Sequence, residues 1–223
     1  MQNKEEVEVQ KLWEQFKIDI ISNNRYFAGK EILNLLDKFN TIRMFPDNTK
    51  MDFYRARIGD YIDKDNSHLL APPKGKSSSG RCNPEGISYL YLSSCQKTAV
   101  CEVRPHSGDV VSVAKINIDV SKIFSFRVYF QGLNIPTSVN TEDSKILIKL
   151  IDKELASKVT KNKKLDYIPL QFISEYIKNK GYDGFVYSST VGPGMNLVMF
   201  NWEEKTEIIE KDKIEIKNVG YDF

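Results

Sequence analysis

Four short segments of the chain carry polar side chains where apolar or simple turn residues are expected. They are Phe53-Tyr54-Arg55-Ala56-Arg57, Gly80-Arg81-Cys82-Asn83-Pro84-Glu85-Gly86, Tyr89-Leu90-Tyr91-Leu92 with the following residues 94–103, and Gly181-Tyr182-Asp183-Gly184-Phe185-Val186-Tyr187-Ser188-Ser189. An arginine within an apolar run must find an anionic partner or reach solvent. Glycines on both sides of an arginine let the backbone bring that side chain close to a ligand. Together the segments supply guanidinium, carboxylate, phenol and hydroxyl groups.

Glu102 is the acidic residue of the third segment, and its helix predicts where it lies. On a helical wheel Ala99, Val100 and Val103 form the apolar face, and Glu102 lies about 60° from Ala99 at its border. It is therefore a candidate for a partly buried carboxylate. Taken singly, each segment also has a plainer interpretation: a solvated glutamate, an edge-strand arginine, a surface loop and a turn serine.

The composition excludes several other kinds of chemistry. The chain has only two histidines, without a second histidine at metal-ligand spacing, so a catalytic zinc site and a histidine relay are poorly supplied. A net charge of +2 gives no electrostatic case for binding nucleic acid or an acidic membrane. Three cysteines without a Cys-x-x-Cys pair are typical of reduced thiols. With no signal-peptide pattern and no long apolar run, we expect a soluble cytoplasmic protein.

Apolar periodicity predicts the elements that must position these residues. Two helices, at residues 4–22 and 28–39, precede a turn at Pro46-Asp47-Asn48, so we divide the chain into a helical appendage, 1–48, and a domain, 49–223. Further helices are predicted after Ser93-Ser94, at 143–158 and from Pro169 to Gly181. Strands are predicted at 51–58, 87–92, 110–118, 124–130, 185–187 and 197–200, with one or two edge strands near 207–209 and 213–217. The order does not alternate regularly, which indicates an α+β fold.

In this order the four segments resemble the RES domain, a family named for its Arg, Glu and Ser. The resemblance covers residues 51–202. It is carried by the Tyr-Arg strand, the Gly-Arg-x-Asn loop, the Tyr-Leu strand with a following Ala-Val-x-Glu helix, and Gly-Tyr-Asp-Gly-x-x-Tyr-x-Ser with a later Asn-Leu-Val. Motif by motif, the family's arginine, glutamate and serine fall on Arg55, Glu102 and Ser189, and two further pocket positions fall on Arg81 and Tyr91.

Three local features of the match leave alternatives open. Arg57 lies two residues from Arg55, and Ser188 lies beside Ser189, so either neighbour could take the matched role. The family's loop commonly reads Gly-Arg-Trp-Asn, whereas this chain has Cys82 in place of the tryptophan. This departure concerns the packing of the loop rather than its arginine.

The resemblance implies an ADP-ribosyltransferase-like fold, a split mixed β-sheet flanked by helices, and an enzyme that takes NAD⁺ as substrate without a metal. Glu102 would stabilise the oxocarbenium-like ribose as the bond to nicotinamide breaks. Arg55 and Arg81 would hold the pyrophosphate through bidentate hydrogen bonds. Tyr91 would stack on the nicotinamide ring, and Ser189 would orient the amide or the ribose.

The resemblance also implies a toxin that depletes NAD⁺ and arrests growth, often encoded with a helix-turn-helix antitoxin as partner. We favour degradation of NAD⁺ by water or phosphate. Transfer of ADP-ribose to a protein and a non-catalytic nucleotide-binding module are the alternatives. The helical appendage could mask the site, form a homodimer or cover an apolar sheet face, and the last is the interpretation that we prefer.

Overall fold

A seven-stranded mixed β-sheet forms the centre of the protein. The computed structural model describes residues 4–39, 47–127, 141–157 and 164–220. The strands are β1 (Lys50–Ile58), β2 (Leu90–Ser93), β3 (Val110–Asp119), β4 (Ile123–Ser125), β5 (Gly184–Ser188), β6 (Met195–Met199) and β7 (Thr206–Glu215). They lie in the order β4-β5-β6-β2-β1-β3-β7. All neighbouring strands are antiparallel except β4 and β5, which are parallel.

Helices cover the sheet in two groups. The α-helices of the described residues are α1 (Lys4–Ser22), α2 (Lys30–Lys38), α3 (Gln96–Val103), α4 (Glu142–Ala156) and α5 (Ile168–Asn179). The first group is α4 and α5, which contact β5, and the second is α3, which contacts β1 and β3. The predicted α+β class is therefore confirmed. Within the described ranges, none of these helices combines the length and the apolar character that crossing a membrane requires.

The sheet is divided between its two central strands, β2 and β1. Their only pair in register is Tyr54 with Ser93. By contrast, β1 pairs with β3 over its whole length, and all four residues of β2 pair with β6. One half of the sheet is thus β4-β5-β6-β2, the other is β1-β3-β7, and the expected split is confirmed.

The hydrophobic core is divided at the split on one face of the sheet and continuous across it on the other. Side chains alternate between the faces of a strand. On the helical face there are two separate clusters, one around Phe185 and Val198 beneath α4 and α5, and one around Ala99 and Val113 beneath α3. On the opposite face a single cluster that includes Phe53, Ile116, Leu90 and Leu197 runs beneath both halves. The split is therefore open on the helical face and closed below by a shared apolar floor.

The N-terminal helices form an outer layer on α4 and α5. Trp13 is buried and donates its indole N–H to Glu154 Oε2 of α4 at 2.8 Å, and Lys17 Nζ lies 3.3 Å from the same oxygen. Trp13 and Ile32 belong to the same core cluster as Phe185. These helices thus pack mainly on the helical layer, and they meet the sheet itself at Phe39, whose ring centre lies 6.1 Å from that of Phe124 in β4. The domain boundary at residue 48 stays a prediction, and Pro46 of the predicted turn lies outside the described residues.

Two predicted boundaries near the split are wrong, for reasons visible in the hydrogen bonds. The strand predicted to start at Ile87 starts at Leu90, because Ile87 donates its N–H to Pro84 O and accepts from Asn83 Nδ2 at 2.9 Å. The helix predicted to be capped by Ser93 or Ser94 has Cys95 at its N-cap. Ser94 Oγ instead accepts the N–H of Met195 at 3.0 Å, which joins β2 to β6.

The other strand predictions differ mainly in length. The C-terminal tail forms one continuous edge strand, β7, which keeps its pairing with β3 across a bulge at Lys115 and Ile116. The strand predicted at 124–130 ends at Ser125, and its residues 128–130 lie outside the described part of the chain.

Candidate active site

A cavity of about 300 Å³ lies where the two halves of the sheet separate. Ligand pockets have volumes of about 300–1,000 Å³, so this cavity suits a small ligand or part of a larger one. Its walls are formed by Tyr54, Arg55, Ala56, Tyr91, Leu92, Ser93, Ala99, Glu102, Val103, Tyr187 and Asn196. Three of the five predicted site residues, Arg55, Tyr91 and Glu102, therefore line one cavity.

Glu102 reaches the cavity because α3 packs on the sheet by its other side. Ala99 is buried in the cluster beneath α3, with Val100 and Val103 packed against it, as the helical wheel predicts. Glu102 at the border of that face lies in the cavity wall. Its Oε1 accepts hydrogen bonds from Asn196 Nδ2 at 2.6 Å and from Ser189 Oγ at 3.3 Å. The carboxylate is therefore held from the opposite half of the sheet.

A polar chain behind Glu102 was not assigned from the sequence. Ser93 Oγ donates to Asn196 Oδ1 at 2.7 Å, and Asn196 in turn donates to Glu102. Because its oxygen is occupied by Ser93, the amide of Asn196 must present its NH₂ group to the carboxylate. Asn196 is buried within the otherwise apolar strand Met195–Met199, and this isolated polar residue is the signal that could have identified it.

Arg55 is a half-buried cation with few partners. Its Nη1 donates to Tyr91 O across the split at 3.0 Å, whereas its buried Nε has no hydrogen-bond partner. Burial, together with the nearby Arg57, lowers the pKa of Arg55 to about 10, so the guanidinium is still charged at neutral pH. The ion pairs of the described residues include none to Arg55. A buried charge without a counter-ion is costly, and an anionic ligand would offset that cost.

Arg57, the alternative to Arg55, lies outside the cavity walls. Its Nη1 donates to His68 O at 2.6 Å, and its guanidinium lies 4.8 Å from the centre of the Tyr61 ring. Arg57 is exposed, and both contacts are to the loop that follows β1. The structure therefore brings Arg55, rather than Arg57, to Glu102 and Tyr91.

Tyr91 lines the cavity, and its hydroxyl holds the Gly-Arg-x-Asn loop. The hydroxyl donates to Asn83 Oδ1 at 2.7 Å and accepts the N–H of Cys82 at 3.1 Å. Burial raises the pKa of Tyr91 well above its ordinary value, so the phenol remains protonated. A Cβ on Gly80 would collide with Asn83 Oδ1 and lie 3.1 Å from the Tyr91 oxygen, which explains the glycine there.

Cys82, which stands where the family commonly has tryptophan, is completely buried beneath this loop. It belongs to the same core cluster as Tyr89 and Phe185. Burial raises the pKa of the Cys82 thiol to about 12, so the group is a small neutral core residue at neutral pH. The loop is therefore packed in this chain without the larger side chain.

Arg81 is not among the cavity walls. Its guanidinium donates to the carbonyl oxygens of Leu155 and Ser157, the latter at 2.7 Å, at the C-terminal end of α4. A cation there satisfies helix carbonyls that have no partner within the helix. In this structure Arg81 joins its loop to α4, and its predicted contact with a pyrophosphate stays a prediction.

Ser189 and Ser188 face different partners. Ser189 Oγ donates to Glu102, as described above, and accepts the N–H of Val191 at 3.3 Å. Ser188 donates its N–H and its hydroxyl to the two carboxylate oxygens of Asp152, both at 2.7 Å. Ser189 is therefore the hydroxyl that the structure brings to the carboxylate in the cavity.

Two further tyrosines line the cavity, and the described residues contain no group of metal ligands. Besides Tyr91, the cavity is lined by Tyr54 and by Tyr187, whose pKa is raised by burial. Neither was assigned a role from the sequence. Across the residues that the structure describes, no three His, Cys, Asp or Glu side chains are grouped so that they could hold a metal ion.

The split mixed sheet flanked by helices, with Glu102 and the half-buried Arg55 in its cleft, has the ADP-ribosyltransferase-like fold expected from the sequence. The chain belongs to the RES domain family, whose model matches residues 52–217. Among solved structures it is similar to a chain of the crystal structure of the M. tuberculosis MbcT–MbcA toxin–antitoxin complex, with 12% sequence identity and a TM-score of 0.52. The likeness covers 83% of this chain and 93% of that chain, and at this identity it concerns the fold alone. No curated protein matches the chain in sequence.

Proposed function

We propose that this protein cleaves the bond between nicotinamide and ribose of NAD⁺ and degrades NAD⁺ as a toxin. The observation that carries the proposal is that Glu102 and Arg55 line one cavity but form no ion pair with each other. A cavity with separate positive and negative groups is complementary to a ligand with charges of both signs. NAD⁺ has this character, since its nicotinamide ring is cationic and its pyrophosphate is anionic.

The proposed chemistry requires little beyond a well-placed carboxylate. The C1′–N bond breaks, its electron pair goes to the nicotinamide nitrogen, and nicotinamide leaves as a neutral molecule. The ribose becomes oxocarbenium-like, as in glycoside hydrolysis. The Glu102 carboxylate, fixed by Asn196 and Ser189, stabilises that positive charge. An acceptor then adds to C1′, and water, when it is the acceptor, releases a proton.

Arg55 and the aromatic walls of the cavity are proposed to bind the phosphate and the planar ring of the substrate. Arg55 is proposed to donate to the phosphate next to the ribose, since its Nε has no partner within the protein. The rings of Tyr54, Tyr91 and Tyr187 provide surfaces against which a planar ring can pack. A cavity of about 300 Å³ is small for a dinucleotide, so the adenosine half is proposed to extend outside it.

The role as a toxin rests on family and fold. RES toxins use NAD⁺, and the similar solved structure is a toxin–antitoxin complex. We propose that depletion of NAD⁺ arrests growth and that an antitoxin, of the helix-turn-helix type expected from the sequence, prevents it.

Product analysis tests the function directly. The purified protein is incubated with NAD⁺, with and without phosphate, and nicotinamide, ADP-ribose and ADP-ribose-1″-phosphate are separated. We expect nicotinamide together with one of the two ADP-ribose products, and the phosphate dependence identifies the acceptor. NAD⁺ labelled in the adenylate half and incubated with a cell lysate provides the second arm. Label fixed on a protein band without free product would indicate protein ADP-ribosylation, and failure to release nicotinamide would indicate a binding module.

Asn196→Ala should lower kcat with little change in KM. The variant removes the 2.6 Å hydrogen bond that fixes the Glu102 carboxylate but leaves Arg55 and its phosphate contact intact. Hydrogen bonds to charged groups contribute about 1.5–3 kcal/mol, so we expect kcat to fall roughly 10- to 100-fold. Asn201→Ala, in the turn after β6 and outside the cavity, is the matched control. A fall in kcat of the same size in both variants, or a change in KM alone, would contradict the role given to Asn196.

A further inference from the structure

The C-terminal end of α4 holds the two polar loops of the site. Arg81 donates to the carbonyl oxygens of Leu155 and Ser157, and Thr190 Oγ1 donates to Ala156 O at 2.6 Å. These carbonyls belong to the last turn of α4, whose oxygens have no partners within the helix. One helix end is therefore the common support of the Arg81 loop and of the turn that carries Ser189.

Asp152, one turn earlier in α4, makes a more specific contact, with Ser188. One carboxylate oxygen accepts the backbone N–H of Ser188 and the other accepts its hydroxyl, both at 2.7 Å. Two hydrogen bonds from one residue to one carboxylate fix its orientation as well as its position. Asp152 is not among the cavity walls, so it does not contact a ligand there.

The hydrogen bond between Ser189 and Glu102 is weak, so it depends on how firmly the neighbouring Ser188 is held. Ser189, the next residue, donates to Glu102 Oε1 at 3.3 Å, which is long for an O–H···O bond. A further displacement of a few tenths of an ångström would break it. Because Ser188 and Ser189 share a peptide unit, movement of Ser188 away from α4 moves Ser189 relative to Glu102.

We infer that Asp152 is a positioning residue for the reaction: it holds Ser188, and through it Ser189, in place against Glu102 and the ribose. The inference rests on the proposed cleavage of NAD⁺ for its kinetic consequence. A positioning role differs from a purely stabilising role in its effect on kcat. A stabilising residue lowers the melting temperature alone, whereas a positioning residue lowers kcat at temperatures far below unfolding and acts only while Ser189 is present.

A double-mutant cycle tests whether Asp152 acts through Ser189. Asp152→Ala should lower kcat about 10-fold with KM within about 2-fold, as expected for the loss of hydrogen bonds to a charged group. Asp152→Asn keeps one acceptor oxygen and should lose less. In a Ser189→Ala background, Asp152→Ala should change kcat by less than about 2-fold. Asp143→Ala, in the first turn of the same helix, is the control and should leave kcat unchanged. Effects of Asp152→Ala and Ser189→Ala that multiply fully would overturn the inference.

Amide hydrogen exchange provides a readout that does not require activity. In Asp152→Ala the amide of Ser188 loses its acceptor, so exchange across residues 188–191 should accelerate at least 10-fold. Exchange in α5 should be the same in both proteins. Equal exchange at residues 188–191 in the two proteins would overturn the inference, whatever the substrate is. Absence of nicotinamide release by the wild-type protein would instead count against the proposed function, while the exchange result still decides the role of Asp152.

Discussion

Glu102→Gln should abolish most of the cleavage of NAD⁺ while leaving the protein folded. Glutamine has the same size, and its carbonyl oxygen can still accept from Asn196 and Ser189, so the side chain should keep its place in the cavity. What disappears is the negative charge beside the developing oxocarbenium ion. Removal of a fixed electrostatic contact of this kind costs about 10²- to 10³-fold in kcat, and we expect the upper end because the full charge is lost.

Kinetics of nicotinamide release, together with thermal unfolding, check this expectation. KM should rise only modestly: the carboxylate also faces the cationic nicotinamide ring of the bound substrate, but most of its effect is on the charge that develops on the ribose in the transition state. Glu204→Gln, an exposed glutamate in the turn before β7, is the matched control and should leave both constants unchanged. If Glu102→Gln kept kcat within about 10-fold of the wild type, the carboxylate could not be the main stabilising group.

Arg55→Met is expected to weaken the binding of NAD⁺ strongly and to make the free protein more stable. The guanidinium has one hydrogen bond, to Tyr91 O, and a buried Nε without a partner, which is why it is proposed to donate to a phosphate. Two charge-assisted hydrogen bonds to that phosphate would contribute about 3–6 kcal/mol, which corresponds to a KM higher by at least 100-fold. In the free protein the same charge is half-buried and has no ion pair among the described residues, so an apolar side chain of similar volume should be neutral or stabilising there by about 1 kcal/mol.

Opposite changes in binding and stability distinguish a ligand-binding arginine from a structural one. KM from nicotinamide release and the unfolding free energy from urea titration give the two quantities. Arg57→Met, two residues along β1, removes an exposed guanidinium that contacts His68 O and Tyr61, and we expect KM to stay within about 3-fold of the wild type. Loss of stability by several kcal/mol in Arg55→Met with unchanged KM would show that Arg55 serves the fold instead.

The elements around the site could be predicted because local patterns determine them. The wheel of α3 placed Glu102 at the border of an apolar face, and that face packs on the sheet as expected. The apolar residues of β1 likewise indicated that Arg55 needs an anionic partner or solvent, and its side chain is half-buried in the cavity wall. In both cases a charged residue stands beside apolar residues whose spacing determines the element, so the sequence itself marks the candidate, although Arg57 was marked in the same way as Arg55.

Contacts between distant segments account for what the sequence did not reveal. The loop motif alone suggested that Arg81 faces a ligand, but the acceptors of its guanidinium are carbonyls of α4, more than 70 residues away along the chain. Asp152 is one of many acidic residues on a helix surface, and nothing local distinguishes it until Ser188 lies opposite. Hydrogen bonds to backbone carbonyls carry no mark in the sequence of either partner, because every residue has such a carbonyl.

The continuous apolar floor beneath the split affects how strongly dissolved salt weakens the charge interactions in the site. Arg55 lies along β1 between Phe53, which belongs to that floor, and Ala56, which belongs to the cluster on the helical face, and its guanidinium reaches across the split to Tyr91 O. Charges above such a low-polarity medium interact with an effective dielectric constant of about 20 rather than 80, so each contact is about four times stronger than in water. Mobile ions screen buried pairs much less than exposed ones. The proposed contact between Arg55 and a phosphate would then persist across a wide range of salt concentrations, and a chain with a net charge of only +2 would need no broad basic surface to attract its ligand.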